Sequence, residues 1–220
     1  MTESSAARAA VRYARPIAFA RGGWRRRIEV VSPKLGRRLS LGSYDAYRTW
    51  LVIEANPAIE AFTERPAYAD GPRSAVIDFW VQLCNVPSGE FWFIESRQRL
   101  PDGADPAAQA IPVLPPMLHD QTVRLIRQAD LEGWAVPIAN WSRIVPYLVS
   151  HRRFRDPLLE QSVVVYLGQP GTLDAVLERF GGHDATSVEA SLFALVAAGR
   201  VVSPDLAVSP LSGATRFQRA

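Results

Sequence analysis

A proline-rich stretch divides this chain of 220 residues into two halves. Residues 101–116 contain five prolines and show no apolar repeat with the period of a helix or a strand. Proline lacks the amide hydrogen that helices and central strands need, so such a stretch does not continue either element. We therefore predict a linker at residues 101–116, between one domain at 25–100 and another at 117–220.

Basic charge is concentrated near the N-terminus. Residues 1–40 contain ten Lys and Arg side chains and only two Glu, whereas the rest of the chain is mildly acidic. This asymmetry is typical of proteins that bind nucleic-acid phosphates or an acidic partner, although a solvated tail has the same composition. We predict a basic arm at residues 1–24. The candidate DNA-binding side chains are Arg25, Arg26, Arg27, Lys34, Arg37 and Arg38.

Apolar residues are too dispersed for a membrane span. The chain has no run of 18 apolar residues, and its N-terminus lacks the apolar core of a signal peptide. We expect no membrane partner and a location in the cytoplasm.

The first half contains a predicted helix and a predicted hairpin. Apolar spacing predicts a helix from about Ser43 to Ala55, after a short strand at 26–31. Strand-like runs at 75–83 and 91–97 flank turn-forming residues, which indicates a hairpin. If the numbers of directly opposite residues in the two strands sum to about 173, Asp78 lies opposite Glu95. Arg97, two residues after Glu95, then lies on the same face of the sheet as Glu95. Two carboxylates on one apolar face form either a functional site or a surface ion-pair network.

The second half is predicted to be mainly helical. Asn140 is the expected N-cap of a helix at 141–150, and a further short apolar segment follows at 157–167. Thr172 is expected to cap one later helix, and Thr186 with Glu189 forms a capping box for the next. Short extended pieces at 200–202 and 206–208 complete a pattern typical of a winged-helix module.

Several motifs along the chain together resemble one family. In the first half they are Ser32-Pro33, Gly36-Arg37-Arg38, Leu51 to Pro57, Ile59 to Pro66, Ile77-Asp78-Phe79 and Phe93 to Arg97. In the second half they are Pro137 to Trp141 and Phe193 to Val202. In order and spacing these motifs resemble the TnsA-type endonuclease subunit of heteromeric transposases, over nearly all of the chain beyond the arm. The resemblance implies an α/β fold, with a restriction-endonuclease-like mixed-sheet domain followed by a mainly helical winged-helix domain.

The resemblance also implies a site for Mg²⁺. Family members cut DNA where a helix Glu and a strand Asp bind Mg²⁺, and a following Glu or Gln-x-Lys completes the centre. Asp78 matches the strand Asp, Glu95 matches the following acid, and Arg97 stands where the family has Lys. These three are the candidate catalytic residues, with Asp78 and Glu95 as the candidate metal ligands. Arginine stabilises phosphate charge but does not give up a proton, so Arg97 departs from the family pattern.

A second departure lies on the predicted helix. Eight residues before Glu54, where the family has its helix Glu, this chain has Ala46. Asp45 is adjacent and is the remaining candidate third metal ligand, but one helical step rotates a side chain by about 100°, which directs it elsewhere. Glu54 is expected to cap or pair locally near the helix end.

Three functional hypotheses remain open. The first is a transposition subunit that binds transposon-end DNA beside a DDE strand transferase and an AAA+ regulator, on the bacterial nucleoid, and has lost strand cleavage. The second is an active Mg²⁺-dependent endonuclease that cuts one strand at transposon ends. The third, more remote, is an unrelated cytoplasmic adaptor with a winged helix. The departures at Ala46 and Arg97 favour the first over the second.

Overall fold

A computed structural model describes residues 13, 15–19, 27–70, 75–86, 88–95 and 114–220. These residues form two compact units of mixed α/β structure. The first is drawn from Met1–Val30, Leu39–Tyr47 and Ile59–Glu132, and the second from Val31–Arg38, Arg48–Ala58 and Gly133–Ala220. The basic arm at 1–24 falls mostly outside the described residues, as do Arg25, Arg26, Arg97 and positions 101–113 of the predicted linker.

The first unit is built on a five-stranded mixed sheet. Strands β1 (Ile28–Val31) and β2 (Arg38–Leu41) pair with each other and precede helix α1 (Tyr44–Ala55). The larger sheet contains β3 (Ile59–Glu64), β4 (Phe79–Leu83), β5 (Glu90–Ile94), β6 (Met117–Leu118) and β7 (Gln121–Ile126). Its order is β3-β4-β5-β7-β6, and only the β5–β7 pair is parallel. The predicted helix and hairpin are confirmed, whereas β2, β6 and β7 were not predicted.

One face of this sheet carries a buried aromatic cluster. Trp80 and Phe91 lie opposite each other on β4 and β5, and both are almost fully buried, together with Ile77. The Trp80 indole N–H donates to the side-chain oxygen of Gln121, 2.5 Å away. That bond satisfies the one polar atom that burial of the ring removes from water. This packing holds β4 and β5 together next to the strand ends where the candidate site residues lie.

The hairpin register differs from the prediction by two residues. Phe79 lies opposite Trp92, so paired positions sum to 171 and Asp78 falls opposite Phe93 rather than Glu95. The turn between the strands is therefore centred one residue earlier than its composition indicated. Asp78 also lies in a bend just before β4. The alternation of side chains along a strand, on which the shared-face prediction rested, therefore does not extend to this residue.

Helices dominate the second unit. Helix α2 (Gln128–Gly133) marks the boundary between the units and is followed by α3 (Ala135–Ser150), α4 (Pro157–Tyr166), α5 (Leu173–Arg179), α6 (Ala185–Ala197) and α7 (Asp205–Val208). Strands β8 (Gly171–Thr172), β9 (Val201–Val202) and β10 (Arg216–Arg219) form a small sheet in the order β8-β10-β9. Thr172 caps α5 as predicted, because its side-chain oxygen accepts the N–H of Ala175.

Three local predictions in this unit are wrong. Asn140 lies inside α3, where its buried amide donates to the carbonyls of Leu206 and Ser209 and accepts from the Leu211 N–H. These backbone partners are distant in sequence, so the residue's tertiary role outweighs its capping tendency. Asp184, rather than Thr186, caps α6 by accepting the Ser187 N–H. Residues 206–208 belong to a helical turn, α7, and the strand that pairs with β9 is β10.

Candidate functional site

One edge of the five-stranded sheet carries the candidate residues of the first unit. Because β4 and β5 are antiparallel, the start of β4 and the end of β5 meet at the same edge, which places Asp78 and Glu95 there. The Glu95 N–H donates to the Ile126 carbonyl, 2.9 Å away, at the end of the parallel strand β7. Asp45, in the first turn of α1, belongs to the same unit. The prediction that Asp78 lies directly opposite Glu95 is therefore wrong, although both residues lie at this edge.

Asp78 is held at three points by its neighbours. Its N–H donates to the Trp92 carbonyl (3.1 Å), its carbonyl accepts the Arg65 N–H (2.8 Å), and its carboxylate accepts the Ile94 N–H (2.8 Å). Burial removes the carboxylate from water and raises its pKa to about 7; the Ile94 bond and the charge of Arg65 oppose that rise, whereas the charge of Asp45 adds to it. Asp78 therefore exchanges a proton near neutral pH, where an ordinary surface aspartate is fully ionised.

Asp45 is linked to the same edge through a residue that the sequence did not single out. The amide of Gln128 donates to a carboxylate oxygen of Asp45 (2.8 Å) and to the backbone carbonyl of Glu95 (3.2 Å). Gln128 begins α2 directly after β7, so the parallel β5–β7 pair brings it to the end of β5. Asp45 thus lies close enough to raise the pKa of Asp78 through its charge, while its carboxylate is held by Gln128. The alternating run of β7 was the only local signal for this arrangement.

Ala46 faces a small cavity beside Asp78. The cavity has a volume of about 40 Å³, and its wall includes Ala46, Glu64, Arg65 and Asp78. Ala46 is almost fully buried, at 4% exposure. The position to which the resemblance assigns a helix Glu therefore lies next to Asp78, and it carries only a methyl group.

The described acidic side chains at this edge do not form a cluster of three metal ligands. Within the described ranges, no three His, Cys, Asp or Glu side chains are grouped closely enough to hold one ion. Asp78, Glu95 and Asp45, the predicted ligands, share an edge of the sheet without forming such a group. Arg97, the third predicted catalytic residue, lies outside the described residues, so its placement stays a prediction.

Glu54, at the other end of α1, has a structural role in the second unit. Its carboxylate is almost fully buried and accepts the Ser32 hydroxyl, the Lys34 N–H (3.1 Å) and the Trp50 indole N–H (2.9 Å). Burial raises the pKa of Glu54, although these hydrogen bonds and the charge of Lys34 favour its ionised form. Glu54 therefore pairs locally, as predicted, but with three partners. Through Ser32 and Lys34 it holds the turn that carries part of the basic charge.

Three described members of the predicted DNA-binding set belong to this turn, and the fourth precedes β1. Lys34 donates to the Asn56 carbonyl (2.9 Å), Arg37 donates to the Arg38 carbonyl (3.2 Å), and Arg38 is exposed on β2. Arg27, also exposed, precedes β1, and its guanidinium carbon is 4.6 Å from the centre of the Phe19 ring.

No helix in the described part of the chain has the length and apolar character needed to cross a membrane. A comparison with protein-family models gives no match, and neither does a comparison with curated proteins.

Proposed function

We propose that this chain is a TnsA-like subunit of a DNA transposition machinery, which binds transposon-end DNA and a partner transposase and carries a degenerate strand-cleaving site. The observation that carries the proposal is the meeting of Asp78 and Glu95 at one edge of a mixed sheet, with the start of α1 in the same unit. The resemblance assigns its acidic residues to these elements: a helix, a strand, and a position shortly after.

The element order of the two units supports the finer fold assignment. Along the chain, α1 precedes three antiparallel strands and a fourth strand parallel to the last of them, an order that fits a restriction-endonuclease-like domain. In the second unit, the order β8, α5, α6, β9, β10 and the sheet order β8-β10-β9 fit a winged-helix module preceded by α4. Strand order is set by packing over the whole unit, so it is independent of the motifs that carry the sequence resemblance.

The edge is better suited to holding charge than to cleaving a strand. Ala46 offers no oxygen to the cavity that it shares with Asp78, and Asp45 is hydrogen-bonded to Gln128. A metal ion held by Asp78 and Glu95 alone would keep most of its ligands as water and would bind weakly. We therefore derive no catalytic step through Mg²⁺ at this site. In this proposal the subunit serves assembly: it keeps the fold, the basic arm and its contacts with a DDE strand transferase and an AAA+ regulator.

Strand cleavage tests this proposal. Supercoiled DNA that carries the transposon ends is incubated with Mg²⁺ or Mn²⁺ and the partner transferase. Four proteins are compared: the native chain, Asp78→Ala, the double variant Ala46→Glu with Arg97→Lys, and the control Glu60→Gln at the exposed position of β3. We expect the native protein to bind the DNA without nicking it, and the double variant to gain nicking because it restores both family residues. The melting temperature of each variant shows whether it folds.

Two results would contradict the proposal in different ways. If the native protein nicks DNA and Asp78→Ala abolishes the nicking while Glu60→Gln does not, the protein is an active endonuclease, and Asp45 becomes the third acidic group. If the native protein binds neither transposon-end DNA nor the transferase, the transposition assignment itself is wrong.

A further inference from the structure

Two basic segments meet in the second unit. Residues 32–38 form the turn between β1 and β2, and residues 151–155 follow the end of α3. Together they contain six Lys and Arg side chains and no Asp or Glu. Only the first segment belongs to the charged N-terminal region, and no sequence pattern links it to the second. We call the two segments together the paired basic surface.

Gly36 is the point where the two segments touch. Its φ of +67° places it in the left-handed region, which favours glycine. The Arg152 guanidinium lies directly against its α-carbon, and a Cβ at position 36 would overlap both terminal nitrogens of that group. The absence of a side chain at Gly36 therefore lets the Arg152 charge lie beside the Lys34–Arg38 turn. Glu54 also holds this turn, because its carboxylate accepts the Lys34 N–H.

A groove runs along this contact. It has a volume of about 240 Å³, and the segments contribute Pro33, Lys34, His151, Arg152, Phe154 and Arg155 to its wall. Three alanines of α6 form part of the groove as well. Phe154 is 76% exposed, which is unusual for a large apolar side chain. Proteins that bind nucleic acids use exposed aromatic rings to stack on bases and sugars, and neighbouring arginines to bind phosphates.

The charges at this surface differ in how far they are neutralised. Arg155 forms a two-point ion pair with Glu160, with N···O distances of 2.6 and 2.8 Å. Arg152 and Arg153 are exposed, and no described residue forms an ion pair with either of them. Two exposed arginines thus remain without an ion pair among the described residues, and the guanidinium of one of them, Arg152, lies beside the turn. Each can bind a phosphate through two parallel hydrogen bonds.

The helix that a winged-helix protein usually directs into the major groove is poorly suited to that task here. Its start carries Asp184 as the N-cap and Glu189 one turn later, and neither charge favours approach to phosphates. Most of the remaining side chains of α6 are buried. Recognition helices place exposed polar and basic side chains in the groove. Any DNA contact made by this unit therefore has to come from another surface.

We propose that the paired basic surface binds the phosphate backbone of duplex DNA, with Arg152 and Arg153 as contacts in addition to those of the N-terminal region. The inference rests on the proposed function in one respect: it takes DNA as the polyanion. It adds that the second unit holds DNA through the end of α3 and the turn at residues 32–38 rather than through α6. These contacts fix position on the duplex without reading its sequence.

The salt dependence of DNA affinity tests this inference. Binding of the full chain to a short fluorescein-labelled duplex is followed by anisotropy at several salt concentrations. The variants are Arg152→Ala with Arg153→Ala, and a matched pair, Arg179→Ala with Arg200→Ala, which removes two exposed cations elsewhere in the unit. Each phosphate contact contributes about −0.9 to the slope of log affinity against log salt, so the first pair should flatten the slope by about 1.8. Between 50 and 200 mM salt, the native protein would then lose about twelve-fold more affinity than this variant.

The controls separate failure of this inference from failure of the proposed function. If the native protein binds DNA and the two double variants have equal slopes of log affinity against log salt, the paired basic surface does not bind phosphates and the inference is wrong. The proposal that the chain binds DNA would remain in place. No native binding to DNA would overturn both. An acidic protein partner is the competing occupant. If poly-glutamate displaces the duplex as effectively as unlabelled DNA at equal charge concentration, and loses that ability against the Arg152 and Arg153 variant, the surface is a protein contact and the inference is wrong.

Discussion

Ionisation of Asp78 should make the first unit less stable as the pH rises, and replacing it by Asn should remove this effect. The raised pKa, about 7 against an ordinary value of 3.8, means that the folded protein binds a proton more tightly at this group than the unfolded chain does. Between those two pH values the folded state holds more protons at Asp78 than the unfolded state does. The contribution of Asp78 to the free energy of unfolding is therefore fully present below pH 4 and is lost as the pH rises through 7. Ordinary paired carboxylates have the opposite dependence.

The size of the effect follows from the pKa. One pKa unit corresponds to about 1.4 kcal/mol, so full ionisation costs the folded state at most about 4.5 kcal/mol. The residue as a whole is half-buried although its carboxylate is shielded from water, and solvent screening reduces this cost to about 2 to 3 kcal/mol. Asp78→Asn keeps the shape of the side chain and an oxygen that can accept the Ile94 N–H. At pH 8 the variant should be more stable than the native protein by about 2 to 3 kcal/mol, and near pH 4 the two should agree.

Urea unfolding between pH 4 and pH 8 measures this difference, and the carbon chemical shift of the Asp78 carboxyl group gives its pKa directly. Glu60→Gln, at the exposed position of β3, is the control and should leave the pH dependence unchanged. Asp45→Asn should lower the pKa of Asp78, because a nearby negative charge is removed. Parallel stability curves for the native protein and Asp78→Asn would refute the reasoning. They would mean that water reaches the carboxylate and that its burial does not govern its ionisation.

Two other predictions concern the basic region and its support. Removal of residues 1–27 should flatten the salt dependence of DNA affinity by several units, because each neutralised phosphate adds about −0.9 to the slope; an unchanged slope would exclude the arm as a backbone contact. Glu54→Ala should lower the free energy of unfolding by about 3 to 5 kcal/mol, because it leaves the donors at Ser32, Lys34 and Trp50 without their acceptor. Glu178→Ala, at an exposed position, is its control in chemical denaturation, and equal losses from the two variants would contradict a specific role for Glu54.

Elements with local signals were predictable from the sequence, and those defined by distant partners were not. Helix α1 and the β4–β5 hairpin have their own apolar periods and turn residues, and the cap at Thr172 lies next to the helix that it starts. In contrast, β7 joins β5 in parallel across a separation of 30 residues or more, which no local turn specifies. Asn140 has the composition of a cap, but its carbonyl and amide partners lie 66 to 71 residues further along the chain. Burial with three satisfied hydrogen bonds outweighs a local preference of about 1 kcal/mol.

The candidate site was predictable in its residue types but not in its geometry, and the start of α1 shows why. A step of one residue rotates a side chain by about 100°, so only one of Asp45 and Ala46 was expected to face Asp78. Ala46 does line the cavity beside Asp78. Asp45 still acts on Asp78, because an electrostatic effect needs proximity rather than direct contact, and Gln128 holds the Asp45 carboxylate at this edge. The chain thus places a negative charge near Asp78, whereas position 46 contributes only a methyl group to the cavity. The raised pKa of Asp78 needs only burial and this neighbouring charge, so it does not depend on a complete set of metal ligands.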